Sequence, residues 1–338
     1  MHDDILKLAL DLSRTTGEKI GSIDKIMVKT QILSMNARLE AARAGTAGKS
    51  FAIVAQEMGN VTDEVSALSA DLHAAISDNA TRIEAAGRQM MLDFRGSRFA
   101  DIARNAVEII DRNLYERSCD VRWWATDSAV VDAVQTPSPE ALNYATSRLA
   151  TILRSYTVYL DLWIADRRGV VVANGRPDRY RSVVGQNVSG AEWFRKGMTT
   201  ITGDDFAVCD INRNTALDGA QVATYATAIR ADGQERGSAL GVLGIFFDWE
   251  PQATDIVKGV SLNEEEAKTT RVMLLNANHR VIASSSPFTD GEIYPLMPTE
   301  DCGYYQRGNK LISYALTPGY ETYKGLGWYG CIESKLNG

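Results

Sequence analysis

Apolar residues recur at alternating steps of three and four along the N-terminal part of this chain. Phe51, Val54, Met58, Val61, Val65, Leu68, Leu72 and Ala75 follow that rule without a break, and a repeat of about 3.5 residues is the seam of a coiled coil. Upstream, Ile5, Leu8, Leu12, Thr16, Lys19, Ile23, Ile26, Thr30, Leu33 and Ala37 lie on the same template, with polar intrusions at Thr16, Lys19 and Thr30. Between the two runs stands NARLEAARAGTAGKSF, where Gly45 and Gly48 offer the freedom at positive φ that a tight reversal needs. The pattern predicts an antiparallel helical hairpin over 1–95. Two helices alone leave a wide apolar strip in water, so a second copy is expected to cover it, giving a homodimeric four-helix bundle.

Helix-forming sequence continues beyond the seam. Ile102, Ile109, Val121, Trp124 and Val131 fall near one stripe, which predicts a long helix from about Phe99 to Val134, closed by Pro137 and Pro139. It would link two units over 96–136 and carry a displacement from one to the other. Trp123 and Trp124 lie about 100° apart on a helix and read as packing against different neighbours.

Then the period changes to two. After a helical segment, Glu140 to Arg154, the run YTVYLDLWIADRRGVVVANG reads as a β-hairpin turning at Arg168-Gly169. Strict alternation places Tyr159, Asp161 and Trp163 on one face, and Leu160, Leu162 and Ile164 on the other, with one face as ordinary core. Further strands are expected at Asp205 to Ile211, Val222 to Arg230 and Ala239 to Asp248, with short helices at AEWFRKGM and after Pro251. RVMLLNANHRVIASSS, KLISYALT and GWYGCIES repeat the pattern on a smaller scale. The expected class is α+β, with two antiparallel-sheet modules in tandem over 137–260 and 261–338.

Composition narrows the function. The 338 residues are 45% hydrophobic and 23% charged with a net charge of -7, which argues against nucleic acid or an anionic membrane surface as partner. No basic leader followed by an apolar run opens the chain and no stretch of 18 apolar residues follows, so a cytoplasmic protein without a membrane span is expected. Cys119, Cys209, Cys302 and Cys331 are far apart, and His2, His73 and His279 have no partner at metal-ligand spacing. No phosphate-binding or nucleophile-elbow motif is present. Neither a cofactor, a metal nor a catalytic site is expected.

Two stretches resemble known families. Asn36-Ala37, LEAARAG over 39–45, Gly48 and FAIVAQE over 51–57 resemble the hairpin tip of methyl-accepting chemotaxis proteins, a likeness that covers about 20–75. It implies that the tip meets a chemotaxis histidine kinase and its coupling protein, or other receptors, through Val28, Ile32, Met35, Glu40, Arg43, Ile53 and Glu57. Thr46, Ser50 and Gly59 depart from that family's usual glutamate, glycine and arginine, and no paired methylation sites stand out. A hairpin that serves only for dimerisation is the alternative.

YLDLWIADRRGVVVANG, VGQNVSGAEWFRKGM and ALGVLGIFFDWE resemble Cache sensor domains, and the second repeat implies the double, PAS-like form over about 100–335. In that family the first module usually holds a small ligand between its sheet and a loop bearing a Trp-aromatic pair. By position the resemblance points to Trp163, Trp193, Phe194, Asp210 and Tyr225, with Asp248 from a shifted register; strand alternation adds Asp161. Aromatic faces beside carboxylates suit a small polar ligand such as an amine, an organic acid or a nucleobase-like molecule. Ala191 and Phe246 stand where amino-acid-binding members carry arginine and aspartate, so an ordinary α-amino acid is not the first expectation. The expected protein is a soluble chemoreceptor-like signal transducer that senses such a ligand and reports it through a dimeric hairpin.

Overall fold

The computed structural model describes residues 2–336, with side chains in the first helix described from residue 7; Ile5 of the predicted seam and the side chain of His2 lie outside them. The chain forms two compact units, Met1–Phe94 and Arg95–Gly338.

In the first unit, α1 (His2–Arg43) turns at Gly45–Gly48 into α2 (Lys49–Trp124). Gly45 adopts φ 59°. Gly48 serves differently from expectation: a Cβ there would stand 2.2 Å from the Ala41 carbonyl oxygen, so only glycine lets the arms approach so closely. The arms run antiparallel, with Gln31 donating to Asp63 (3.1 Å), Ser34 to the Ala55 carbonyl (2.6 Å) and Ser69 to Asp24.

They meet on a narrow row spaced by sevens. Ile20, Ser34 and Ala41 of α1, Gly48 of the turn, and Ala55, Thr62 and Ser69 of α2 are buried. The predicted apolar seam lies beside that row and faces outward, Leu33 being 60% exposed, Val61 55% and Leu68 68%. The heptad spacing therefore marks a real stripe, but the two arms of one chain do not cover it.

α2 runs on to Trp124 through Gly87 and Gly96, which corrects the expectation of a separate helix over 99–134. It ends where Thr126 Oγ1 bonds the Trp123 carbonyl (2.7 Å) and Asp127 caps α3 (Ser128–Gln135) by accepting from the Ala129 N–H (3.0 Å). Both helices turn their apolar faces inward, so the break leaves no trace in the stripe. The buried stripe on α2 is Phe99, Ala103, Val107, Ile110, Leu114, Val121 and Trp124, whereas Ile109 is exposed. α4 (Pro139–Ser155) follows, capped by Ser138.

The first sheet contains β1 (Tyr159–Asp166), β2 (Val171–Asn174), β3 (Ala207–Asn214), β4 (Ala220–Arg230) and β5 (Ala239–Asp248) in the order β2-β1-β5-β4-β3, with α5 (Glu192–Met198) on one face. α6 (Trp249–Lys258) and α7 (Glu264–Thr269) lead to the second sheet. There β6 (Thr270–Leu275), β7 (Val281–Ser284), β8 (Cys302–Arg307), β9 (Lys310–Leu316) and β10 (Tyr329–Lys335) repeat the same topology, β7-β6-β10-β9-β8.

Three local features differ from the sequence reading. α6 begins at Trp249, ahead of Pro251, because a proline in the first turn sacrifices no helical hydrogen bond. α7 (EEEAKT) carries no apolar stripe and is held by the reciprocal Asn263–Glu266 capping box and an Arg98–Glu266 ion pair. β8 is a half-buried edge strand whose CGYYQR sequence lacks apolar alternation.

The C-terminal part of α2 lies on both sheets. Against the second it runs close enough that a Cβ at Gly330 would sit 2.4 Å from the Ala103 carbonyl oxygen, and Ser313 Oγ donates to the Gly96 carbonyl (3.0 Å). Against the first, the buried Asp120 carboxylate accepts from Tyr159 Oη (2.5 Å) and Arg117 Nε (3.1 Å), while the Arg117 guanidinium lies over the rings of Tyr159 and Phe247.

Between these anchors Asp111 Oδ2 accepts from the Gly319 N–H (2.7 Å) while its Oδ1 is buried without a partner. Burial pushes this carboxyl up from the ordinary 3.8 to about 6, against the pull of that N–H. The folded state then keeps a proton that the unfolded chain has lost, so stability falls as pH rises from about 4 to about 6, by at most ~3 kcal/mol. Asp111→Asn is expected to flatten that slope and to unfold later than the parent above pH 6; parallel slopes in pH-dependent denaturant titrations would refute the assignment.

Candidate functional site

α5 lies across the outer face of the first sheet because the sheet makes room for it. A Cβ at Gly244 would stand 2.8 Å from the Trp193 ring, and one at Gly197 would stand 2.7 Å from Val242. Trp193 and Phe194 turn inward from α5 while Glu192 and Lys196 pair at its surface (2.7 Å). Trp193 meets Trp163 (6.2 Å between ring centres), Phe246 (5.7 Å) and Phe194 (6.0 Å), and Trp163 lies 4.1 Å from Phe246. These rings form an apolar block in which Trp193 meets its three neighbours edge to face, while Trp163 and Phe246 are tilted at 47°.

Beside the block a cavity of ≈ 240 Å³ opens between α5, β3 and β4, with Glu192, Trp193, Asp210, Arg213, Thr224 and Phe246 on its walls. The β3–β4 register shifts between Cys209 and Asn212, and the bulge turns Asp210 toward this space. Asp210 Oδ2 accepts from Asn276 Nδ2 (2.8 Å) and Oδ1 from the Ile211 N–H (2.8 Å). Arg213 is paired with Asp290 (3.2 Å). Burial pushes the Cys209 thiol up to about 11, so it stays protonated and serves as an apolar wall.

Of the residues expected at a ligand site, Trp193 and Asp210 line this cavity; Trp163 and Phe194 support it from behind. Tyr225 points the other way, into the helix-side core beside Phe206, because β4 alternates and Tyr225 is out of phase with Val222 and Ala226. Asp248 sits at the end of β5; burial and Glu250 push its carboxyl up while Arg179 and Arg176 pull it down.

Asp161 is committed to its own chain. Oδ1 accepts from the N–H groups of Leu162 (2.9 Å), Gly175 (3.0 Å) and Arg176 (3.0 Å), and Oδ2 from Trp163 Nε1 (3.0 Å) and Asn174 Nδ2 (2.7 Å). Burial pushes the carboxyl up, opposed by the bonds from Asn174, Leu162, Trp163 and Gly175. The expected sharing of one face by Tyr159, Asp161 and Trp163 is also corrected: a bulge between Tyr159 and Asp161 shifts the phase, so Tyr159 enters the helix-side core and Trp163 the outer cluster, and both faces of β1 are buried.

Glu192, Arg213, Thr224 and Phe246 also line it; Phe246 stands at the position where the resembled family carries aspartate, alternation puts Thr224 on the face opposite Tyr225, and no sequence signal marked Glu192 or Arg213. The cavity is also tied to the second module. Asn276, whose Oδ1 accepts from the Asn278 and Arg280 N–H groups in the β6–β7 turn, donates to Asp210, and Arg280 Nη2 donates to the Ile211 carbonyl (2.7 Å).

In the hairpin, Val28, Ile32, Met35 and Ile53 are exposed, Glu40 pairs with Arg43 (2.7 Å), and Glu57 accepts from Asn60 (2.7 Å). No described helix is long and apolar enough to cross a membrane.

Residues 7–112 match the family model of the methyl-accepting chemotaxis protein signalling domain. A methyl-accepting chemotaxis aspartate transducer of Klebsiella aerogenes is 30% identical over 115 residues, 33% of this chain and 21% of that protein. The chain thus spans about a fifth of the length of that curated relative. Among solved structures, the ligand-binding domain of the Pseudomonas aeruginosa amino acid chemoreceptor PctC in complex with GABA superposes with a TM-score of 0.52 at 16% identity, covering 72% of this chain and 99% of that one. The V. cholerae histidine kinase DctB sensor domain gives 0.51 at 14%, covering 74% and 99%. At such identities the likeness is one of fold. The chain therefore carries a methyl-accepting chemotaxis protein signalling domain in its N-terminal part and, after it, a unit with the fold of the Cache-like sensor domains of chemoreceptors and histidine kinases.

Proposed function

We propose that this protein is a chemoreceptor-like signal transducer that binds a small amine in the cavity beside Trp193 and reports occupancy through a dimeric helical hairpin to a chemotaxis kinase complex or receptor array. The observation that carries the reading is the signalling-domain match over 7–112, which overlaps α2, a single helix that also lies on both sheets of the sensor fold. With Glu192 held by Lys196 and Arg213 by Asp290, Asp210, bonded by the neutral Ile211 N–H and Asn276 Nδ2, lies beside the faces of Trp193 and Phe246 and favours a cationic group over an anionic one. Asp210 also holds Asn276, so a ligand that recruits this carboxylate competes with a bond to the second module. A ligand that prefers one arrangement of that link shifts the population of the signalling state.

Calorimetric titration of the full chain with small amines, organic acids and nucleobases tests the input. Amines are expected to bind, and Gly244→Val, which drives the Trp193 ring from its place, is expected to weaken them by about tenfold or more. A panel without any binder would remove the sensing half of the reading. Reconstitution with chemotaxis kinase and coupling protein tests the output: ligand-dependent kinase activity supports relay, and unchanged activity with a bound ligand leaves the hairpin as a dimerisation device.

A further inference from the structure

A second and larger cavity, ≈ 460 Å³, lies at the other end of β4, where the end of α2 meets the loop before β3 and the β4–β5 turn. It shares no lining residue with the cavity beside Trp193. Trp123 borders it and is 68% exposed, whereas its neighbour Trp124 is buried in the core. Arg230, also on the wall, is only 7% exposed.

The environment of Arg230 is unusual for a buried cation. Its Nη1 donates to the Gly237 carbonyl (2.9 Å) and its Nη2 to the Thr200 carbonyl (2.5 Å), while Nε is buried without a partner. Among the described residues no carboxylate forms an ion pair with it; the neighbouring Asp205 carboxylate is occupied by the Ile201 and Thr202 N–H groups. Asp205 acts on it through space, its carboxyl pulled down chiefly by the Thr202 N–H and also by this guanidinium, but no direct ion pair forms, and an anion entering the cavity supplies that contact. Arg122 adds a second cation on the wall, with its Nε on the Ser118 carbonyl and its guanidinium over the Phe206 ring. The acidic residues, Asp204 and Glu235, are exposed at the rim, Glu235 facing Arg236 (3.7 Å).

We infer that this cavity is a second small-molecule site, selective for a carboxylate with a flat apolar body: Arg230 and Arg122 take the carboxylate, and the Trp123 indole covers the apolar face. Nothing in the sensing role assigned to the Trp193 cavity requires it, and the two sites stand or fall separately.

Benzoate, benzyl alcohol and benzylamine are isosteric probes that differ in charge. Titrated into the 338-residue chain and followed by saturation-transfer NMR and by the indole N–H resonance of Trp123, benzoate is expected to bind with a millimolar or tighter constant. Benzyl alcohol should bind about tenfold more weakly or worse, since it lacks the charge-assisted bond. Arg230→Gln should remove the preference for benzoate. Because that residue is buried, Arg122→Gln and Trp123→Ala, at solvent-accessible positions, supply the test if the variant does not fold; each should weaken benzoate by about threefold to tenfold. Equal affinity for benzylamine, no saturable binding up to about 10 mM, or benzoate binding indifferent to Trp123→Ala overturns the inference.

Discussion

Asp161→Ala is expected to destabilise the sensor unit by about 4 kcal/mol or more, enough to unfold its first sheet at ordinary temperature. The side chain is fully buried and accepts five hydrogen bonds, three from backbone N–H groups at the β1 bulge and the turn after β2. Alanine removes this acceptor from all five donors; the Gly175 N–H keeps a second one in the Leu162 carbonyl (3.1 Å), and each buried donor left without any costs about 1–3 kcal/mol before relaxation. Asp161→Asn separates geometry from charge. Its oxygen can still serve the Leu162, Gly175 and Arg176 N–H groups, but its amide then faces Trp163 Nε1 and Asn174 Nδ2, donor against donor. An intermediate loss of about 2 kcal/mol follows. Denaturant titration followed by tryptophan fluorescence reads both, and an alanine variant within about 1 kcal/mol of the parent would show that water replaces the carboxylate.

The hairpin makes the second large prediction. Val61→Glu and Leu68→Glu are expected to leave the secondary structure of a monomer unchanged, because both side chains are exposed on the single chain. In the proposed homodimer the same positions are buried twice, once in each copy. Burying a large aliphatic group is worth about 1.5–3 kcal/mol, so each substitution should weaken the dimer by roughly 3–6 kcal/mol, a factor on the order of 10² to 10⁴ in its dissociation constant. Sedimentation over a concentration series measures this directly. A parent chain that stays monomeric at high micromolar concentration, or variants that dimerise as the parent does, would leave the stripe on this hairpin to another partner. Thr62 and Ser69 on the arm-to-arm row give the internal control: changes there should affect the single chain at every concentration.

That row and the exposed stripe show how far periodicity reaches. The sevenfold spacing of Val54, Val61 and Leu68 is a property of sequence alone, and it located an apolar face correctly. Which face the second arm takes was decided by close approach: Gly48 against Ala41 and Ser34 against Ala55 permit two backbones to come nearer than Leu33 and Val61 would allow. Small residues carry little periodic signal, so the row that closes the hairpin was silent.

The same division holds in the sensor unit. Alternation placed nearly every strand, because a pleated chain must turn successive side chains to opposite faces, and Ala239–Asp248 appears with the expected bounds. Bulges defeat that rule. One extra residue between Tyr159 and Asp161 moved Tyr159 to the helix side, and the irregularity between Cys209 and Asn212 turned Asp210 to the cavity. By itself the sequence determined the α+β class, the hairpin, the repeated sheet pattern and the aromatic pair Trp193-Phe194. Only the tertiary structure decided that Asp161 is a fully bonded internal strut, that α2 is one helix from Lys49 to Trp124, and that Arg230 lies buried without a direct ion pair. Local propensity and period are written residue by residue, whereas the partner of a buried charge is chosen by segments far apart in the chain and brought together only when the sheets close.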